Sequence, residues 1–313
     1  MIVSGKPWLD TEGHSIQAHG GGIWAEKGRY YWYGENKGGP TLAEPRCGFR
    51  VDVIGVSCYV STDLAIWRHA GVVLKARSDE PDHDLYPKNI LERPKVIQCP
   101  ATGRYVMWMH IDSYQRDKAA VGVAVADKPE GPFEYLRSFR PHGCDSRDMT
   151  VFRDDDGSGW LIYSSERNDT LHVGRLTDDY TDVAGDFTRV MAGRRREAPA
   201  VFRHEGRLYL ITSGCSGWFP NPSETAVADR MTGPWTVLGD PFAGDAEGTS
   251  FRSQSTFVLP RAGGEADEYM YMGDRWEPKD LGSSTYVWLP MTVSGTRLRI
   301  EWRNSWNPEM KGL

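Results

Sequence analysis

Short apolar runs separated by polar turns recur along the whole chain. Between Arg194 and Trp218 a lone carboxylate, Glu197, precedes Ala-Pro and the apolar pair Val201-Phe202. A turn follows at His204-Glu205-Gly206, and the alternating run Leu208-Tyr209-Leu210-Ile211 returns. Alternation on both sides of a Gly turn predicts a β-hairpin. The same pattern occupies His19–Glu35 (HGGGIWAEKGRYYWYGE), Glu92–His110, Arg147–Ser165 and Ser253–Trp276. The shared apolar anchor falls at Ile23, Val96, Val151, Val201 and Phe257, at spacings of 73, 55, 50 and 56 residues. An insertion at Gly38–Arg50 stretches the first interval.

Each repeat is long enough for two further strands. In the second they are predicted at Val121–Ala126 and Phe133–Arg137, and in the fourth at Glu224–Ala228 and Trp235–Leu238. Both pairs flank a Gly-Pro turn, and "ADKPEGPFEY" matches "ADRMTGPWTV" almost position for position. Five units of four strands with no long helical period predict an all-β, five-bladed β-propeller built from four-stranded antiparallel blades. A β-sandwich would not explain a repeat near 55 residues. Thr285–Trp302 completes the last blade or closes the ring, which hides a sheet edge. No Pro/Gly/Ser-rich linker divides the chain, so residues 1–313 are expected to form one catalytic domain.

Composition narrows the partners. A net charge of −6 argues against nucleic acid or an anionic membrane surface as a partner. No apolar run is long enough to span a bilayer. The opening MIVSGKPWLDTEGHS lacks a basic and an apolar leader region, which points to the cytoplasm, or to secretion if a leader has been removed. The five cysteines, Cys47, Cys58, Cys99, Cys144 and Cys215, have no metal-ligand spacing, and their odd number fits reduced thiols.

In a propeller the first strand of every blade lies nearest the axis, so equivalent openers converge on one face. Here they are His19 with its glycines, Glu92, Asp148, Glu197 and Gln254. Carboxyls crowded on one pocket floor must have displaced pKa values. A glycosidase uses that displacement: one carboxyl stays protonated and gives its proton to the leaving oxygen. An inverting enzyme also leaves room for water, with its carboxyls roughly 6.5–9.5 Å apart.

The five-blade pattern with "SRDMTVF" and "REAPAVF" resembles glycoside hydrolase family 43. The strings "QAHGGGI", "YYWYGE", "RVDVIGVSCYVSTDL", "ERPKVI", "ITSGCSGW", "SQSTFV" and "GDRW" are most similar to its exo-β-1,3-galactanase subgroup. The resemblance implies an inverting exo-hydrolase that releases galactose from β-1,3-galactan, the backbone of arabinogalactan, with no cofactor and no metal. It matches Glu197 to the general acid, Asp148 to the residue that tunes it, Glu92 to a substrate-binding glutamate and Gln254 to a glutamine beside the attacking water. Most of the family carries an Asp at the blade-one opener as base. Here Gln17–Gly22 has no carboxylate, which is also a trait of the subgroup. Gln254 could then position the water or relay its proton as the imidic acid, or Glu92 could be the base if it lies across from Glu197.

Trp218, Trp276 and Tyr114 are candidate sugar platforms, and Glu35 and His19 candidate partners of sugar hydroxyls, although most tryptophans of such a fold pack between blades. Asp154-Asp155-Asp156 fits a hairpin turn better than a cation loop. The long insertion at Gly38–Arg50 is expected beside the pocket, where a cap over one end would make the enzyme exo-acting. The competing functions are another family-43-type activity, α-L-arabinofuranosidase or β-xylosidase, and an inactive sugar-binding propeller. The missing blade-one carboxylate disfavours the first, and the retained acid cluster disfavours the second.

Overall fold

The computed structural model describes residues 1–45, 48–260 and 268–308. Five antiparallel sheets stand around a central axis, each built from one contiguous stretch. Their innermost strands are His19–Glu26, Ile90–Gln98, Met149–Arg153, Arg196–His204 and Gln254–Pro260. The expected outer strands of blade two appear at Ala120–Ala126 and Glu134–Phe139, and those of blade four at Glu224–Ala228 and Thr236–Gly239. The Gly-Gly turn expected in blade five lies outside the described residues, as does Cys47. Among the described residues no helix is long and apolar enough to cross a membrane.

The middle strands show why the blades stack. Tyr105–Asp112 and Ala120–Ala126 are buried along their whole length, because both faces of a blade meet a neighbouring blade. Accordingly the apolar core divides into five clusters, one in each gap between adjacent blades. Outermost strands such as Glu134–Phe139 keep polar residues toward solvent.

Thr285–Ser294 and Arg297–Glu301 supply the third and fourth strands of blade five. That blade gains a fifth strand, Phe242–Ala243, which pairs in parallel with Ile300–Glu301 and was not foreseen. Among the described residues blades one and five exchange no strand. Ile2–Val3 pairs with Ser305–Trp306, and the closing gap is filled by Trp8, Trp32, Trp67 and Trp288. Trp32 and Trp288 meet edge to face at 4.6 Å between centroids, a favoured geometry for aromatic rings. Trp288→Ala is expected to destabilise the protein by about 3–5 kcal/mol, read from denaturant unfolding, because it leaves a cavity against Trp8, Trp32 and Trp67.

One local device aims the openers inward. In three blades a β-bulge follows the opener, between His19 and Gly22, Glu92 and Lys95, and Glu197 and Ala200. The next residue is left-handed each time: Gly20 at φ 60, Arg93 at φ 57 and Ala198 at φ 52. Pro94 and Pro199 sit inside two of these bulges, where the ladder needs no N–H. In blade one the glycines are required. A Cβ on Gly21 would lie 1.7 Å from the Tyr33 carbonyl oxygen, and one on Gly20 2.7 Å from Glu35.

Candidate active site

The openers frame a cavity of about 330 Å³ on one face of the ring, lined by Glu35, Glu92, Arg93, Asp148, Glu197, Gln254, Trp218 and Trp276. A second cavity of about 320 Å³ opens at the other end of the axis, walled by the five apolar anchors. The layer between them contains the buried Lys95, whose Nζ donates to the Gly20 carbonyl at 2.6 Å.

Glu197 stands at the centre of a hydrogen-bonded set. Gln254 Nε2 donates to its Oε1 at 3.1 Å, and Asn168 Nδ2 to its Oε2 at 3.2 Å. Burial, and then the negative charge of Asp148, push its carboxyl up to about 8, although the Arg93 guanidinium opposes them. Asp148 accepts from the backbone N–H of Ala198 at 3.1 Å, so it grips the chain next to the acid it tunes.

Glu92 has the opposite character. Burial would raise its pKa, but the hydrogen bond and charge of His110, followed by Arg116 and Lys37, hold the carboxyl far below the usual range. His110 Nδ1 lies 3.2 Å from Glu92, and Nε2 lies 3.7 Å from Asp112. Burial works against the imidazolium, yet Asp112 and Glu92 together lift it to about 9. Glu197 thus keeps its proton at neutral pH and Glu92 does not. They come from blades two and four, which are not neighbours in the five-membered ring.

Arg93, which the sequence did not single out, ties these groups together. It is 5% exposed, pairs with Asp148 at 2.9 Å, and donates to Gln254 Oε1 at 2.6 Å and to the Ser255 carbonyl at 3.1 Å. Gln254 is therefore held at both ends: Oε1 accepts from Arg93 and from Trp276 Nε1 at 2.9 Å, while Nε2 donates to Glu197 and to Ser213 Oγ at 3.0 Å. The only forewarning of Arg93 was its place in "ERP", directly after an opener.

The remaining candidates divide. Trp218 and Trp276 meet at 4.9 Å in the cavity wall, and the Trp218 indole donates to the Phe49 carbonyl at 3.0 Å. The blade-one insertion, a hairpin of Leu42–Glu44 and Gly48–Arg50, thereby docks on the wall. Glu35 lies at the cavity floor beside Lys37 at 2.7 Å, and burial raises it to about 7 against that ammonium. His19 does not reach the cavity. It is fully buried, 3.1 Å from Asp274 and stacked on Tyr286, so it supports the floor. Tyr114 is exposed outside the wall, with the Arg50 guanidinium 5.3 Å from its ring centre. Asp154 turns away to pair with Arg203 at 2.7 Å.

Glu92, His110 and Asp148 offer ligand atoms all within 4.8 Å of one another. His110 is held protonated and Asp148 is engaged by Arg93, so a cation there would have to displace both partnerships.

The family model described as "Glycosyl hydrolases family 43" matches residues 23–242. A β-D-galactofuranosidase, xynD, of Aspergillus niger is 30% identical over 153 residues, 45% of this chain and 44% of that protein. An extracellular endo-α-(1→5)-L-arabinanase of Thermotoga petrophila is 30% identical over 98 residues, 25% of this chain and 21% of that one. These alignments span less than half of each curated relative. Among solved structures, a GH43 β-1,3-galactosidase with bound galactodeoxynojirimycin is 36% identical, with a TM-score of 0.90 over 98% of this chain and 100% of that one. An exo-β-1,3-galactanase from Phanerochaete chrysosporium with β-1,3-galactotriose is 37% identical, with a TM-score of 0.89 over 99% of this chain and 68% of that one. An exo-β-1,3-galactanase from Clostridium thermocellum is 36% identical, with a TM-score of 0.85 over 99% of this chain and 67% of that one.

Proposed function

Because the chain belongs to glycosyl hydrolases family 43, we propose that it is an inverting, exo-acting hydrolase that releases galactose from β-1,3-galactan or β-1,3-linked galacto-oligosaccharides. The observation that carries this reading is the pair of oppositely displaced carboxyls, Glu197 and Glu92, in one cavity of about 330 Å³. Groups whose environments push their pKa values apart divide the acid and base work. The choice of galactose over other sugars draws on the solved β-1,3-galactosidase and exo-β-1,3-galactanases, similar over almost the whole of this chain.

In this mechanism Glu197 gives its proton to the glycosidic oxygen. Asp148 keeps that proton in place up to mildly alkaline pH, and Arg93 anchors Asp148. The entering glycosidic oxygen takes over the hydrogen bond between Glu197 and Gln254, and the freed amide N–H then orients the attacking water. Gln254 Oε1 already has two donors, so it has no lone pair left for the water's proton. Glu92, ionised and two blades away from the acid, takes that proton. The hairpin docked on Trp218 closes one side of the cavity and favours a chain end over a chain interior.

Two substitutions separate these roles. Gln254→Ala is expected to lower kcat by about 10²–10³, the usual cost of losing one preorganised donor, with KM nearly unchanged. Near-full turnover would remove Gln254 from the water. Glu92→Gln is expected to lower kcat by about 10²–10⁴; a raised KM at unchanged kcat would make Glu92 a sugar-binding group only.

The substrate assignment is tested by a panel of β-1,3-galactan, aryl β-xylosides and aryl α-L-arabinofuranosides. Galactose from the first and no product from the others is the expected result. Cleavage of the xyloside or arabinoside alone would move the assignment to another activity of the family, and binding of galactan without turnover would favour a sugar-binding propeller.

A further inference from the structure

A groove of about 710 Å³ lies beside the catalytic cavity across the tops of blades two and three. Arg116 and Arg147 line both spaces, so the two adjoin. Farther out the groove is lined by Arg140, Arg167 and the half-buried Phe187, which stacks on His172 at 4.3 Å and 18°. Four guanidiniums converge here in a protein whose net charge is −6.

Two of the four are compensated, Arg147 by Asp145 and Arg116 by the nearby Glu92, which leaves the charges of Arg140 and Arg167. Asp145 is engaged by Arg147 at 2.5 Å and by the backbone N–H groups of Glu166 and Arg167 at 2.9 and 3.0 Å. Glu166 is held between Arg189 and His172, and Asp117 accepts from Ser113 Oγ. By contrast Arg140 donates only to neutral carbonyls, Nε to Lys118 at 2.9 Å and Nη2 to Asp117 at 2.8 Å. Neither Arg140 nor Arg167 pairs with a carboxylate among the described residues. The loop that carries Arg116 is clamped, since Asp112 accepts from the N–H groups of Ser113, Lys118 and Ala119 at 2.9 Å each.

A neutral galactan offers these guanidiniums hydroxyl acceptors but no charge to pair with. Fixed guanidiniums recognise carboxylates by charge-assisted, often bidentate hydrogen bonds, and an aromatic ring beside them suits the apolar face of a pyranose. We propose that the groove between blades two and three binds a uronic-acid residue carried by the galactan. The proposal rests on the hydrolase reading for the polymer and adds a preference for acidic substrates over neutral ones.

The test is direct binding, which needs no turnover. β-1,6-Linked glucuronosyl-galactose and its carboxyl-reduced counterpart, glucosyl-galactose, are titrated calorimetrically into the wild type and into the double variant Arg140→Ala/Arg167→Ala. The acidic disaccharide is expected to bind the wild type about three- to tenfold more tightly, with the advantage shrinking at high salt and vanishing in the double variant. Equal binding of the two sugars, or a preference that survives in the double variant, would overturn the proposal. Hydrolysis of unbranched β-1,3-galactan, measured in parallel, should be the same in both proteins. Its absence from both would count against the hydrolase reading and leave the binding result standing by itself.

Discussion

Glu197→Gln is expected to reduce kcat on β-1,3-galactobiose by about 10³, within the usual range for a general acid. The amide keeps the shape of the carboxyl and still accepts from Gln254, and Asn168 can turn its unpartnered Oδ1 toward the new NH2, so the loss should fall on kcat and leave KM nearly untouched. A substrate whose leaving group needs no proton, such as a dinitrophenyl β-galactoside, should recover most of the rate. An equal loss on both substrates would mean that the variant fails for a reason other than proton donation. The same substitution has a thermodynamic signature. The folded site raises Glu197 from 4.5 to about 8, whereas in the unfolded chain it ionises freely. The folded state therefore binds the extra proton across that interval, and the group's contribution to stability is full below pH 4.5 and lost as pH rises through 8. The variant has no such group, so its Tm should exceed that of wild type increasingly from pH 5 to pH 8.

Asp148→Asn is the second large effect. After burial, the Asp148 charge is the leading cause that holds the proton on Glu197, and Arg93 is the leading opponent. Replacing Asp148 removes the first and leaves the second unbalanced, and both changes lower the pKa of Glu197. For wild type the account expects activity to be level through neutral pH and to fall with a pKa near 8. The acid limb should be absent until the fold itself fails, because Glu92 stays ionised. In the variant the alkaline limb should move down by at least one pH unit, and turnover on that limb, above pH 8, should fall by about tenfold through lost protonation, while the Asn oxygen can still accept from the Ala198 N–H. An unchanged limb would show that burial alone holds the proton.

The parts of this molecule that were legible in the sequence are those governed by local rules. Strand alternation, Gly turns and the repeated Gly-Pro segment expose the blades because each depends on a few adjacent residues. The openers were legible for a related reason: a fixed place in a repeat becomes a fixed place around the axis. Legibility ended where one element depends on a distant one. Phe242–Ala243 lies just before blade five in sequence but adds to its outer edge beside Ile300, and no local pattern announces a parallel partner so far along the chain. Arg93 resembles an ordinary charge after a glutamate, and its importance comes from Asp148, Gln254 and Ser255, supplied by two other blades.

The candidates that were placed differently follow the same logic. His19 occupies the register of Glu92 and Glu197, but Asp274 of blade five draws its ring beneath the floor. The carboxyl on the blade-one side of the cavity comes instead from the second strand, as Glu35. Tyr114 sits on the loop that follows the second strand of blade two, and that loop turns outward over Asp112. Trp276 lines the cavity as expected, and its indole N–H also fixes the oxygen of Gln254, which ring shape alone does not reveal.

The central claim is that Glu197 protonates a β-linked galactoside while water attacks from the opposite face. The most direct test is to mix wild-type enzyme with β-1,3-galactobiose and follow the newly released galactose by proton NMR before it mutarotates. The account predicts that the α-anomer appears first and relaxes toward the equilibrium mixture. Initial release of the β-anomer would contradict it, because retention requires a covalent or otherwise double displacement that this assignment of Glu92, Gln254 and Glu197 does not contain.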